Sequence, residues 1–153
     1  MPELFLVFKT LHVAAAATAV AIVVGSDFYF QRVVMNEDPA VVAGLGRQIR
    51  RRNAIEGPII EITVLLGIAA ALTGNFNLFA PWLLAAYAIL IVGSILIFRI
   101  GAPVFTRILE AAERGNSDEV RRLARSRPRF VSLAVSSGML FGVIALMVFK
   151  PGI

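Results

Sequence analysis

Apolar residues run almost unbroken through four stretches of the chain, and charge is confined to the segments between them. The first stretch extends from Leu4 to about Phe30, interrupted by Lys9, His12 and Asp27. The second begins at Pro58, a residue suited to the first turn of a helix, and reaches Thr73 with Glu61 as its one charged position. An uncharged segment, residues 74–80, then leads into Pro81-Trp82 and a third stretch that ends near Arg99, with Gly101 and Pro103 beyond. The fourth runs from Phe130 to Phe149, between Pro128 and Lys150-Pro151-Gly152. None of the four shows the period-two alternation of a half-buried strand, and most approach the roughly 20 residues that a membrane-spanning helix needs. The pattern predicts an all-α fold, an antiparallel four-helix transmembrane bundle with spans at about 4–30, 58–73, 81–99 and 130–149. The second and third spans form a tight hairpin in this reading, and the 153 residues make a single domain.

Composition supports lipid as the solvent. The chain is 58% hydrophobic with a mean hydropathy of +0.81, against about 45–50% apolar residues in an ordinary soluble domain. The opening run carries Glu3 ahead of it and Lys9 within it, unlike the basic start and clean apolar centre of a cleaved secretion signal, so it is expected to be a retained span. There is no cysteine and one histidine, which leaves thiolate chemistry, iron–sulfur ligation and zinc sites without ligands.

The net charge of +5 comes from 13 arginines and 2 lysines set against 10 acids. Arg32, Arg47, Arg50, Arg51 and Arg52 surround the first polar stretch, residues 35–57. Arg99, Arg107, Arg114, Arg121, Arg122, Arg125, Arg127 and Arg129 surround the second, residues 106–129. Only Lys9 and Lys150 lie at the other ends of the spans. The positive-inside rule places both Arg-rich loops in the cytoplasm of a bacterial inner membrane, with both termini outside. In each loop acidic residues precede an Arg cluster, Glu37-Asp38-Pro39 before Arg50-Arg51-Arg52 and Ser117-Asp118-Glu119 before Arg121-Arg122 and Arg125, which predicts short helices at the membrane surface. The shared grammar is also what duplication of a helix–loop–helix unit would leave. Arg50, Arg51, Arg52, Arg121, Arg122 and Arg125 would meet anionic lipid headgroups. Nucleic acid is not an expected partner, because the aromatic residues lie in or beside the spans; Trp82, Phe76, Phe79 and Tyr29 read as interfacial anchors.

Two sets of residues carry candidate chemistry. His12 lies about 12 Å along the first span, where an imidazole needs a hydrogen-bond partner or a ligand. A neutral ring there bonds a Ser or Thr of another helix, sits at the interface with Lys9, relays protons, or ligates haem with Met139, Met147, Lys9 or a second copy supplying the other axial position. Asp27, Glu61, Arg99 and Arg129 sit toward the same ends of four different spans and are expected to form an ion-pair layer that fixes the helices or gates an ion path. No metal site is expected. The run Ala14–Ala17 with Thr18, Ala19 and Ala21 suits close helix approach or an oligomer contact, and Ser132, Ser136, Ser137, Thr63 and Thr73 suit interhelical hydrogen bonds. Phosphate loops and nucleophile motifs are absent from the sequence.

At Phe8-Lys9-Thr10-Leu11-His12-Val13, followed by the small-residue helix, the two Arg-bearing loops and the closing Met147-Val148-Phe149-Lys150-Pro151, the sequence resembles a family of uncharacterised bacterial four-helix integral membrane proteins. That resemblance spans the chain and implies a fold without a reaction. The Lys-x-Leu-His opening is also similar to the start of the HemJ-type protoporphyrinogen oxidases, which implies His12 as a haem ligand; the second histidine and Trp-rich surroundings of those enzymes have no counterpart here. Three functions follow as expectations: a non-enzymatic accessory or structural membrane component, a haem-binding or porphyrin-linked redox protein using His12, and a small oligomeric channel or transporter using Asp27 and Glu61.

Overall fold

The computed structural model describes residues 2–150, without the side chains of residues 52–57, and the described residues form helices joined by short turns. In order these are α1 (Pro2–Asn36), α2 (Pro39–Thr73), α3 (Pro81–Leu96), a π-helical turn (Ile97–Gly101), α4 (Ala102–Glu113), α5 (Ser117–Ala124) and α6 (Arg127–Phe149). Three segments are long and apolar enough to cross a membrane: α1, the continuous Pro81–Glu113 and α6. The apolar half of α2, Pro58–Thr73, is shorter. The most apolar windows of the three long segments bury only 6% to 17% of their residues within the chain, so most of their apolar surface faces outward.

The helices associate as two antiparallel pairs. In the first, α1 lies along α2 with Phe5 beside Gly74, His12 beside Gly67, and Ala19 and Ile22 beside Ile59 and Ile60. In the second, α3 and the π turn lie along α6, with Gly93 against Met139 and Gly101 against Ser132 Oγ. A Cβ built on Gly93 would overlap the Met139 sulfur, and one on Gly101 would stand 2.5 Å from Ser132 Oγ, so these glycines set how closely the helices approach. The hairpin expected of the second and third spans therefore forms only at its turn. Helix α3 leaves α2 after residues 74–80 and packs on α6 instead.

Both polar stretches are more helical than their charge suggests. Asp38 and Pro39 start a helix, as the acidic-then-proline pattern predicts, but residues 39–57 continue directly into the apolar half of α2 rather than forming a separate surface helix. Pro58 sits inside α2 and does not end it. The third apolar stretch likewise continues past Arg99. Pro103 has no N–H to offer the Arg99 carbonyl four residues back, and the helix accommodates this with the π turn, where Ala102 N–H bonds Ile97 O five residues back. Only α5 is the separate amphipathic helix expected, with the Asn116 side chain accepting from Glu119 N–H at 3.0 Å and Arg114 paired to Glu119 at 3.1 Å. The two polar stretches thus have different structures and give no support to an internal duplication.

The main buried cluster is at the Arg-rich end. Phe30, Val33 and Val34 of α1, Val42 and Ala43 of α2, Val104, Ile108, Leu109, Ala111 and Ala112 of α4, and Val120 and Ala124 of α5 pack together, with Phe105 tilted on Phe30 at 5.0 Å between ring centroids. The driving force there is removal of apolar surface from water, as in a soluble domain. The opposite end is closed by a smaller aromatic group. Phe76 contacts Phe5 at 6.0 Å and Trp82 edge-on at 6.3 Å, and Lys150 lies 4.4 Å above the Phe76 ring. Trp82, expected as an interfacial anchor, is instead 4% exposed and part of this internal group, whereas Phe79 and Tyr29 are exposed.

Candidate functional site

Polar residues of different apolar segments meet at two places. The first lies between α1 and α6. Arg129 is buried, and its guanidinium makes three contacts to α1: Nη1 to the Asp27 carboxylate at 3.4 Å, Nη2 to the Asp27 carbonyl at 3.2 Å, and Nε to Gln31 Oε1 at 3.0 Å one turn on. Ser136 donates to the second Asp27 oxygen at 2.8 Å, and Gln31 donates through Nε2 to the Ala124 carbonyl at 3.0 Å. The guanidinium also lies 5.6 Å from the Phe30 ring centroid, at the edge of the apolar cluster. The helical spacing explains the convergence: Asp27 and Gln31 are one turn apart on α1, and Arg129, Ser132 and Ser136 recur on one face of α6. A charge removed from water is held there by an opposite charge and by neutral acceptors, the condition under which a buried ion pair is tolerated.

The second place is His12. Its Nδ1 is 2.8 Å from the Thr63 carbonyl of α2. A carbonyl only accepts, so Nδ1 carries the proton, and it is Nε2 whose lone pair is left for a ligand whenever the ring is uncharged. The ring rests on Gly67, where a Cβ would come within 2.8 Å of Cε1. Nothing in the sequence pattern pointed to Gly67, a residue whose missing side chain makes the seat. Thr63 and Thr73 bond through their hydroxyls to carbonyls of their own helix, Ile59 O at 2.8 Å and Ala69 O at 2.7 Å.

The four-residue ion-pair layer is not assembled as one site. Asp27 and Arg129 meet, but Arg99 is exposed on the π turn and Glu61 is exposed on α2. The pairing of α1 with α2 puts Glu61 level with Ala17 and Thr18, about 14 Å from the level of Asp27 at 1.5 Å per residue. Among the described residues Glu61 has no hydrogen-bond or ion-pair partner. Gln31 is the member of the network that the sequence reading did not single out; its position one turn after Asp27 was the available signal.

At the Arg-rich end, Arg50, Arg51, Arg121, Arg122 and Arg125 are exposed, while Arg52 lies outside the described residues. An open groove between α4 and α5 is lined by Arg107, Arg114 and Arg122 with Glu110 and Glu119. Its arginines are partly matched within the chain, Arg114 to Glu119 at 3.1 Å and Arg122 to Glu119 at 3.8 Å, and across the surface Arg47 meets Glu113 at 3.4 Å. Among the described residues there is no group of three metal-ligating side chains.

Neither a curated protein nor a solved structure matches the chain significantly. A family model described as predicted integral membrane protein (DUF2269) matches residues 6–151, nearly the whole length. The chain belongs to this family of integral membrane proteins of unknown function.

Proposed function

We propose that the chain is a four-span protein of the bacterial inner membrane, with its Arg-rich end in the cytoplasm and both termini outside, and that it serves as a non-catalytic component of a membrane assembly. The antiparallel pairing supports a fourth span: α2 stays beside α1 until Gly74 stands level with Phe5, so its apolar half extends over the same depth. That half is about 24 Å long, and Arg-flanked helices adapt to a hydrocarbon core of about 30 Å by local thinning or snorkelling. The orientation rests on the arginines.

The observation that carries the non-catalytic reading is how the intramembrane polar groups are used. Asp27, Arg129, Gln31 and Ser136 interlock with one another, and His12 bonds the neighbouring backbone. These are joints between helices rather than groups converging on a shared space. Purified protein is therefore expected to be spectrally featureless above the aromatic bands and to leave liposomes tight to protons and cations. Periplasmic reporter fusions at either terminus are expected to be active; cytoplasmic activity at both would reverse the orientation.

A haem-binding reading is favoured by one specific observation, the His12 Nδ1–H bond to Thr63 O. Ligating imidazoles commonly fix their tautomer and orientation through such a bond, leaving Nε2 for the metal. Absorption spectra of protein expressed with ample haem, as isolated and reduced, decide between the two. A Soret band lost in His12→Ala establishes the haem reading, and a flat spectrum from folded protein retains the non-catalytic one.

A further inference from the structure

The groove between α4 and α5, about 480 Å³ in volume, holds two charges of opposite sign that do not meet. Arg107 and Glu110 stand one turn apart on α4 and both line it, yet neither has a hydrogen-bond or ion-pair partner among the described residues. A base placed ahead of an acid is the poorer order for pairing along a helix, which leaves both groups open. The other acid of the groove is occupied: Glu119 takes Arg114 at 3.1 Å and Asn116 Nδ2 at 3.3 Å, with Arg122 only at 3.8 Å. Arg122 is therefore a second exposed cation with capacity to spare. The register that sets Gly93 against Met139 and Gly101 against Ser132 carries Pro103 opposite Phe130 and Arg107 opposite Ser126, which also lines the groove. Phe28, Tyr29 and Phe130 are exposed aromatic residues at the level of the Asp27–Arg129 pair, the place of an interfacial belt. Arg107 and Ser126 lie four residues beyond that belt, about 6 Å, within a headgroup layer about 5–7 Å deep on each face of a bilayer.

We infer that this groove seats a phospholipid headgroup carrying both a phosphate and a primary ammonium, of the phosphatidylethanolamine type, with the phosphate between Arg107 and Arg122 and the ammonium on Glu110. A guanidinium donates to phosphate oxygens, and an ammonium donates to a carboxylate, so one zwitterion satisfies both open charges of the groove. Residues one turn apart on a helix have Cβ atoms about 5–6 Å apart, a separation that a phosphate and an ammonium joined by two carbons can bridge. The alternatives fit less well. A purely anionic headgroup such as phosphatidylglycerol satisfies the arginines and sets a like charge beside Glu110. A choline headgroup has the right charges and no N–H to give the carboxylate. Free phosphoethanolamine carries the same two groups, and the position of the groove in the headgroup layer favours the lipid. The inference rests on the membrane reading of the Arg-rich end, which the terminal reporters test separately; a lack of lipid preference leaves that reading untouched.

Protein in mild detergent, given equal amounts of phosphatidylethanolamine, phosphatidylglycerol and phosphatidylcholine with identical acyl chains, is read by native mass spectrometry for the lipid it retains. Phosphatidylethanolamine is expected to be retained about fivefold or more over each of the others. Glu110→Gln is expected to shift the ratio toward phosphatidylglycerol by a similar factor, because the like charge is gone and the ammonium has lost its partner. Arg107→Gln is expected to lower retention of phosphatidylethanolamine about fivefold. Arg121→Gln, exposed on α5 and outside the groove lining, is the control for general surface charge and should change neither result. Arg107 and Glu110 hold no other residue in place, so both variants keep the parent's thermal midpoint in lipid-free detergent, which verifies that they are folded. Overturning results are a parent without preference or preferring phosphatidylglycerol, a preference indifferent to Glu110→Gln, or an equal loss in Arg121→Gln. Displacement of the lipid by O-phosphoethanolamine at the lipid's own concentration would also overturn it, by making the ligand a soluble phosphate compound.

Discussion

Arg129 shows why single residues matter more in this chain than its apolar composition suggests. Removing its carboxylate partner leaves a guanidinium sheltered from water with only neutral acceptors. Asp27→Ala is accordingly expected to lower stability by about 3 kcal/mol, read as a fall in the thermal midpoint in detergent. Replacing Arg129 and Asp27 together by leucine and alanine is expected to cost less than the sum of the single changes, because the uncompensated charge is gone. Gly67 offers a second test. Gly67→Val puts a Cβ against the His12 ring and forces it off the Thr63 carbonyl, at about 1–3 kcal/mol; His12→Ala in the same chain relieves most of that loss. The sequence made His12, Asp27 and Arg129 legible as polar residues in apolar surroundings. It grouped Asp27 with Arg129 but did not reveal Gln31, Gly67 or the Thr63 carbonyl beside them, because a backbone carbonyl, a glycine and a glutamine carry no hydropathy signal that separates them from their neighbours.

At the scale of elements, hydropathy located the apolar segments well and the helix ends poorly. Charge marks where a helix leaves lipid, whereas backbone hydrogen bonding decides where it stops, and Pro58 and Arg99 show the difference: both helices continue through the boundary. Pairing was less legible still. A seven-residue turn joins α2 to α3, yet each packs on another helix, since the small residues that permit close approach, Gly67 on α2 and Gly93 and Gly101 on α3 and its π turn, face α1 and α6. The π turn itself makes a testable demand. Deleting Ile100 would remove the extra residue and rotate α4 by about 100° relative to α3. Val104, Ile108 and Leu109 would then leave the cluster around Phe30, so limited trypsin digestion is expected to cut the Arg-rich end of the deletion variant while that of the parent resists.

The molecule as a whole combines two kinds of packing. Toward the Arg-rich end, α1, α2, α4 and α5 enclose a core that would suit a small soluble domain. Toward the other end, pairs of helices touch through glycines, a histidine and a few rings while most apolar surface faces outward. Mutations are expected to sort accordingly. Ile108→Ala, at a fully buried position, should cost about 2–5 kcal/mol, whereas Ile91→Ala on the outward face of α3 should change the thermal midpoint little. The core at the Arg-rich end also has a temporal consequence. Phe30, Val34 and Val42 are made early in synthesis, but the residues that cover them, Val104 to Ala124, emerge about seventy residues later. Until then the nascent first hairpin presents an uncovered apolar knob to the aqueous side, an invitation to chaperones and proteases. A message broken before α4 would thus yield an inserted but recognisably unfinished chain, which cellular quality control can distinguish from the complete protein.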